Sequence, residues 1–344
     1  MELDFTKPPD IRYLKYLTTE DGLIQHTKYG IVERKEGYAL DDNARALVVV
    51  DDFAKLFDGT EIIDLAKTYI AFIRQMQKDD GWFYTFLTYD LKISHEKTTQ
   101  DSFGRTLWGL GHTIGAAINR NVTLSARDMF EAAIAKISSL EYSRAKGYSI
   151  LGLYYSGHPK SKELIEKLSQ ELITLFEKNS EDNWVWFESF FTYDNAILPV
   201  ALLFAYRILH DQKLLDCAIK TFHFLNSIAH VDGIPAPIGQ KGWFYKGQER
   251  ALYDQQPVDV GSMVFAASEF YQETKDELYK KLAQEWFSWY WGNNLLKKEM
   301  IDLATGGVFD GLHHDDVNLN QGAESIIAYL IAYMSLSKLE LHSS

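Results

Sequence analysis

The sequence predicts an all-α fold, an (α/α)6 toroid of six helical hairpins with short β-hairpins in the loops on one face. Three observations predict it: helical periodicity from end to end, an alternation of two kinds of helix, and a loop motif that returns roughly every sixty residues. One kind of helix is amphipathic and is expected on the outside, over 61–76, 124–140, 161–178, 212–228 and 277–291, with a short further segment at 9–17. The other is apolar nearly all round, over 44–57, 102–118, 148–155, 195–209, 260–271 and 323–336. A helix of that kind has to be covered on every side, so these are expected inside. Six hairpins stacked side by side bury what none can bury alone, and six suit closure into a ring. No linker or composition break divides the chain, so 1–344 is expected to be a single toroid domain.

The connections are as unequal as the helices. Inner-to-outer links are tight, as at Asp58-Gly59-Thr60, Gly157-His158-Pro159 and His210-Asp211. Outer-to-inner links are mostly long. They carry Asp80-Gly81-Trp82-Phe83, Asn183-Trp184-Val185-Trp186-Phe187, Gly242-Trp243-Phe244-Tyr245 and Gly307-Val308-Phe309, with a weaker copy at Asp21-Gly22-Leu23. Each reads as a Gly turn followed by a short aromatic strand. Gly104, Gly109, Gly111 and Gly115 would each cost about 1 kcal/mol in an ordinary helix, so four in one inner helix point to close backbone approach.

Inner helices open on related polar turns: Asp41-Asp42-Asn43, Gln100-Asp101-Ser102, Tyr193-Asp194-Asn195, Val258-Asp259-Val260 and Gln321-Gly322-Ala323-Glu324. With inner helices parallel, these openings and the Trp-bearing loops share one face. In this alternation, with acidic helix starts and aromatic loops together, the chain resembles the six-hairpin glycosidase superfamily of (α/α)6 toroids. The resemblance covers nearly the whole chain and rests on architecture. It implies a carbohydrate substrate, a cleft on the loop face and, commonly, inverting hydrolysis by two carboxyl groups. Sugar epimerases and some polysaccharide lyases use similar toroids, so fold does not select the reaction.

Composition narrows the partners. A net charge of −13 argues against nucleic acid or an anionic membrane surface, which require a basic face. No apolar run reaches the length of a membrane span and no secretory signal is visible, so a soluble cytoplasmic protein is expected. Oligomeric state is not legible. The lone Cys217, in a helical pattern, reads as a buried small hydrophobe and excludes a disulfide framework. Eight Trp and twenty Tyr suit both a thick core and a sugar-binding cleft.

Glycoside hydrolysis needs a carboxylic acid to protonate the leaving oxygen and a carboxylate to activate water or attack the sugar. Asp42, Asp101, Asp194 and Asp259 stand where helix N-caps stand, and capping is the plain alternative for each. Asp42 and Asp101 are favoured as catalytic groups because several polar residues accompany each, including Asn43, and because Arg45 or Arg105 follows. On neighbouring helix starts, about 8 to 10 Å apart, the two suit the spacing of an inverting pair. The positive helix N-terminus favours the ionised form, so either Asp is better suited as base than as acid. The acid is expected in apolar surroundings, and Glu188, behind Trp184-Val185-Trp186-Phe187, has the most aromatic neighbours in sequence; a loop salt bridge is its plain alternative.

Substrate contacts are expected from Asp41, Asn43, Arg45, Arg105, Asp194, Asp259, Gln321 and Glu324 at the helix starts, and from Trp82, Phe83, Trp184, Trp186, Trp243 and Tyr245 as flat ring platforms. His313 and His314 are expected to touch the sugar. Adjacent histidines do not converge on one ion, and Asp51-Asp52 lies about 15 Å along the helix from Asp41-Asp42, so no metal is expected. No phosphate loop, nucleophile elbow or dinucleotide fingerprint appears, and no cofactor is expected. Two other readings stand beside the hydrolase. An epimerase or isomerase would use a histidine base, from His26, His95, His112 or His313; a catalytically idle toroid would only bind glycan or protein.

Overall fold

The computed structural model describes residues 4–57, 59, 62–94 and 98–341. Within them the chain forms twelve α-helices. Six are inner: α2 (Leu40–Phe57), α4 (Gln100–Ala116), α6 (Ser143–Ser156), α8 (Ile197–Leu209), α10 (Pro257–Thr274) and α12 (Ala323–Leu341). Each packs on the next and α12 packs back on α2, so the ring closes. The outer helices are α1 (Arg12–Leu17), α3 (Ile62–Met76), α5 (Arg120–Ala133), α7 (Ser161–Asn179), α9 (Gln212–Ile228) and α11 (Glu277–Ser288). Each covers one inner helix, α1 covering α12 and so completing the sixth hairpin. The fold is the expected all-α toroid, and its strands are short two-residue antiparallel pairs in the loops. No described helix is long and apolar enough to cross a membrane.

The inner helices earn their place by composition. Every residue of α8 from Ile197 to Ala205 is buried, as are most of α12 and α10. The outer helices bury one stripe; α3 buries Ala66, Tyr69, Ile70 and Ile73 and leaves the other face to solvent. Cys217 is buried in α9, as expected, and burial raises its thiol to about 12.

Two helices depart from their periodicity for physical reasons. The third inner helix, expected over 148–155, starts at Ser143. Its first turns carry the charged residues Arg144 and Lys146, which are buried against Glu188 and Glu171. The second outer helix, expected over 124–140, starts at Arg120 under an Asn119 cap and gives way after Ala133 to a 3-10 segment, Ile134–Ser139. The expected link at Asp58-Gly59-Thr60, the residue Glu61 and the candidate base His95 fall, in part or whole, outside the described residues.

The glycines of α4 do bring backbones together. A Cβ on Gly111 would lie 2.1 Å from the Gly152 carbonyl oxygen of α6, and one on Gly109 would lie 2.2 Å from the Ala44 carbonyl oxygen of α2. Backbone cannot retreat as a side chain can. Gly111→Ala is therefore expected to destabilise the protein by about 3 kcal/mol, at the upper end of overpacking penalties. Urea unfolding of the variant checks this, and a loss no larger than a surface Gly→Ala change would refute backbone contact there.

Candidate active site

The helix starts and the long loops enclose a cavity of about 700 Å³. Its lining includes Asp41 and Asp42 of α2, Asp101, Ser102 and Arg105 of α4, and Glu324 and Ser325 of α12, so these inner helices point their N-termini at one space. A second cavity, lined by Asp52, His112, Tyr155 and Lys338, marks the opposite, C-terminal ends.

Capping does not occupy the acidic residues. The cap of α4 is Thr99, whose hydroxyl oxygen accepts from the Ser102 N–H at 3.4 Å, leaving Asp101 within the first turn. Asp259 likewise lies within the first turn of α10, behind Gln256. Its carboxylate accepts from the Asp194 backbone N–H at 2.7 Å, across to another element. Asp194 itself sits ahead of α8 in the left-handed region, at φ 47°.

Two buried guanidinium groups organise the carboxylates. Arg45 donates to Asp42 at 2.8 Å and to Glu324 at 2.9 Å, and approaches Asp41 at 3.4 Å. Arg105 donates to Asp41 at 2.6 Å and lies 3.6 Å from Asp194 and 3.7 Å from Glu324. The Tyr148 hydroxyl donates to Asp194. Asp41, Asp42 and Glu324 bring oxygens within 4.8 Å of one another, a spacing that could hold a cation. Here the positive charge beside those oxygens comes from the arginines.

The arginines supply fewer charges than the carboxylates they serve, and the deficit shows in the acidities. Burial and the neighbouring charge of Asp41 push Asp42 well above the usual carboxylate range, despite Arg45. Burial acts on Asp41 too, but Arg105 and Arg45 outweigh it and hold Asp41 below that range. Burial and Asp194 raise Asp259, whose second oxygen has no partner among the described residues. Adjacent carboxyls are thus pushed in opposite directions.

Other expected residues fall in different places. Asp101 lines the cavity and accepts from the Tyr193 hydroxyl. Glu188 is not in an apolar pocket: it accepts from the Ser143 hydroxyl at 2.7 Å and from Arg144 at 3.0 Å, in a recess beside the main cavity. Asn43 is turned to the fold, bonding Leu23 and Ala39. Gln321 bonds Asp302 and Thr305. Asp194 and Asp259 are part of the support beneath the arginines.

The ring platforms are mostly core. Trp186 is fully buried and stacked on Phe191, Trp184 is 4% exposed, and Phe83 is fully buried. Trp82 packs against Phe103 with ring centroids 4.6 Å apart. Tyr245 is exposed on the strand paired with Phe190–Phe191. These rings seal the hairpins under the loops, a larger apolar gain than ligand contact could supply. Trp243 does line the cavity. The two histidines diverge: His313 lines it, whereas His314 turns out to Asp315 and Tyr253.

Sequence reasoning missed Tyr193, Asp254, Gln256 and Asp310 of the lining. Asp310 accepts from the Gly322 N–H and, at 2.7 Å, from the Ser325 hydroxyl, so it fixes the start of α12. Its signal was its place directly after the Gly307-Val308-Phe309 motif. Tyr193 stood beside Asp194 in a singled-out opening, and its reach to Asp101, 92 residues away in sequence, could not be read locally.

No protein-family model matches the sequence. No curated protein matches it. Solved structures do match. A sugar epimerase from a ruminal bacterium superposes with TM-score 0.74 at 15% identity, covering 96% of this chain and 95% of that one. The cellobiose 2-epimerase of Bacillus thermoamylovorans gives 0.74 at 12% identity, over 96% and 95% of the two chains. The GH76 alpha-mannanase of Bacteroides thetaiotaomicron gives 0.68 at 11% identity, over 97% and 95%. At such identities the likeness is one of fold: the chain shares the (α/α)6 toroid architecture of these structures.

The raised pKa of Asp42 has a consequence for stability. A carboxyl group raised on folding contributes stability that is present below its unfolded pKa, about 4, and lost as pH rises through the folded value. Asp42→Asn, which cannot ionise, is therefore expected to be more stable than the wild type at pH 7 and equal to it in acid. Urea unfolding at both pH values checks the sign; a destabilised variant at pH 7 would show that Asp42 serves as the ionised partner of Arg45.

Proposed function

We propose that the protein is a glycoside hydrolase acting on an oligosaccharide or glycoconjugate fragment, with Asp42 as general acid and Asp101 as the base that activates water. The observation that carries this reading is the gathering of Asp41, Asp42 and Glu324, with oxygens within 4.8 Å of one another, on the lining of the cavity that Asp101 shares, where burial and Asp41 push Asp42 upward. Divergent acidities in one site mark acid and base assignments. The acid role moves from Glu188, which is held by Arg144, to Asp42.

Asp101 suits the base because its partner is a phenol, whereas Asp41 and Glu324 are engaged by guanidinium groups. Oxygens within 4.8 Å leave little room for water, so a partner drawn from the Asp41, Asp42 and Glu324 group would attack the anomeric carbon directly and retain configuration. Asp101, on the neighbouring helix, acts through water and inverts it. Arg105 and Trp243 position the sugar, with His313 and Gln256 at the rim. The structural neighbours support a sugar substrate, since their names include cellobiose, mannose and mannan-active enzymes.

A second reading, a sugar epimerase or isomerase, is favoured by one observation: His26 and His313 line the same cavity from different loops. It would need one of them to remove a carbon-bound proton.

The two are separated with cellooligosaccharides and α-1,6-mannooligosaccharides of one to five units. Hydrolysis predicts released reducing sugar with inverted anomeric configuration by NMR. Asp42→Asn should lower kcat about 10²- to 10⁴-fold on these substrates and much less on an aryl glycoside whose leaving group needs no proton. Near wild-type rates in both Asp42→Asn and Asp101→Asn would overturn the assignment, and deuterium uptake from D2O without cleavage would favour the epimerase.

A further inference from the structure

We infer that the recess beyond the Asp101–Tyr193 contact is a second sugar subsite, taking the neutral pyranose next in line to the one in the central cavity, with Tyr142 as its stacking platform and Glu188 as a hydroxyl acceptor. This rests on the reading of the cavity as a glycan site. The recess has a volume of about 550 Å³, within the range of ligand pockets. It shares Thr99, Asp101 and Tyr193 with the central cavity, so one phenol-carboxylate contact forms the wall between them. A glycan held in the cavity enters the recess by passing that wall.

The recess is built for hydroxyls rather than charge. Arg144 is only 5% exposed, and its three guanidinium nitrogens donate to the Tyr193 carbonyl, Glu188 and Asn195. Among the described residues of the lining, no cation is left over to recruit an anionic sugar. Glu188 accepts one bond on each oxygen, from Ser143 and Arg144, and each oxygen keeps a further lone pair. Its orientation is fixed before a ligand arrives.

At the lip, Tyr142 is 63% exposed. A single exposed tyrosine needs no explanation, but the backbone beneath this one is held in place. The Gln100 side-chain oxygen accepts from the Glu141 N–H at 2.7 Å and from the Tyr142 N–H at 3.2 Å. Tyr142 precedes α6 without capping it by a side-chain bond, so the helix start does not account for it. A flat ring on a fixed backbone, at the mouth of a polar recess joined to the cavity, is the arrangement a pyranose stacks on.

The test measures binding of the same cello- and mannooligosaccharide series by calorimetry, in the wild type, Tyr142→Ala, Tyr142→Phe and Glu188→Gln. Wild-type affinity is expected to rise about tenfold as the chain lengthens past the units the cavity holds. Tyr142→Ala should abolish most of that gain, Tyr142→Phe should keep it, and Glu188→Gln should reduce it. A length-independent affinity in the wild type, or an undiminished gain in both Tyr142→Ala and Glu188→Gln, would overturn the subsite while leaving the hydrolase reading intact. An intact gain without any cleavage overturns the hydrolase alone, and binding of no oligosaccharide overturns both.

Discussion

The structure depends on a shortage of positive charge. Arg45 and Arg105 are buried among Asp41, Asp42, Glu324 and Asp194, which come from three different parts of the ring. Removing such groups from water is expensive, and mutual attraction offsets it only where geometry and hydrogen bonds are good. The ring supplies that geometry because α2, α4 and α12 meet at their N-termini. The same three helices are tied at the other end, where Lys338 donates to Asp52 at 2.6 Å and His112 lies 3.3 Å from both Asp51 and Asp52. Between the two ends, Gly109 lets α4 rest on the backbone of α2.

That frame sets what the cavity can do. Helix starts stabilise negative charge, so they gather carboxylates, and two arginines cannot neutralise them all. Asp42 is the one pushed upward, because it is among the most enclosed of the set and is flanked by Asp41. Burial and crowding thus raise Asp42, and proximity to the arginines lowers its neighbour Asp41. A pocket of aromatic rings, the source expected for the acid, is not required.

Much of this was legible in the sequence, for identifiable reasons. Inner and outer helices differ in how many faces are apolar, which composition records directly, and Gly104, Gly109, Gly111 and Gly115 announced backbone contact that the ring supplies. The helix starts at Asp41-Asp42, Asp101 and Glu324 were legible because acidic residues recur before apolar runs. Illegible features depended on partners distant in sequence. The charged start of α6, Arg144 and Lys146, lay outside the expected helix because Glu188 and Glu171 could not be seen to meet them. Trp184 and Trp186 read as platforms because loop position says nothing about what a loop covers; their neighbours include Phe191, Phe244 and Phe187.

The dipeptide Tyr193-Asp194 shows how one backbone conformation can serve wall and floor together. In an extended strand successive side chains point to opposite faces, and in a helix they are about 100° apart. Asp194 adopts neither, at φ 47°, a conformation Asp tolerates better than most residues. Its N–H is held by Asp259, which fixes the turn. As a result Tyr193 reaches Asp101 in the wall between cavity and recess, while Asp194 turns to Tyr148 and Arg105 beneath the floor. Asp259 is raised by burial and by the charge of Asp194, and the single backbone N–H it accepts works against both, with no cation among the described residues bonded to it. Wall, floor and turn are thus joined through this one dipeptide.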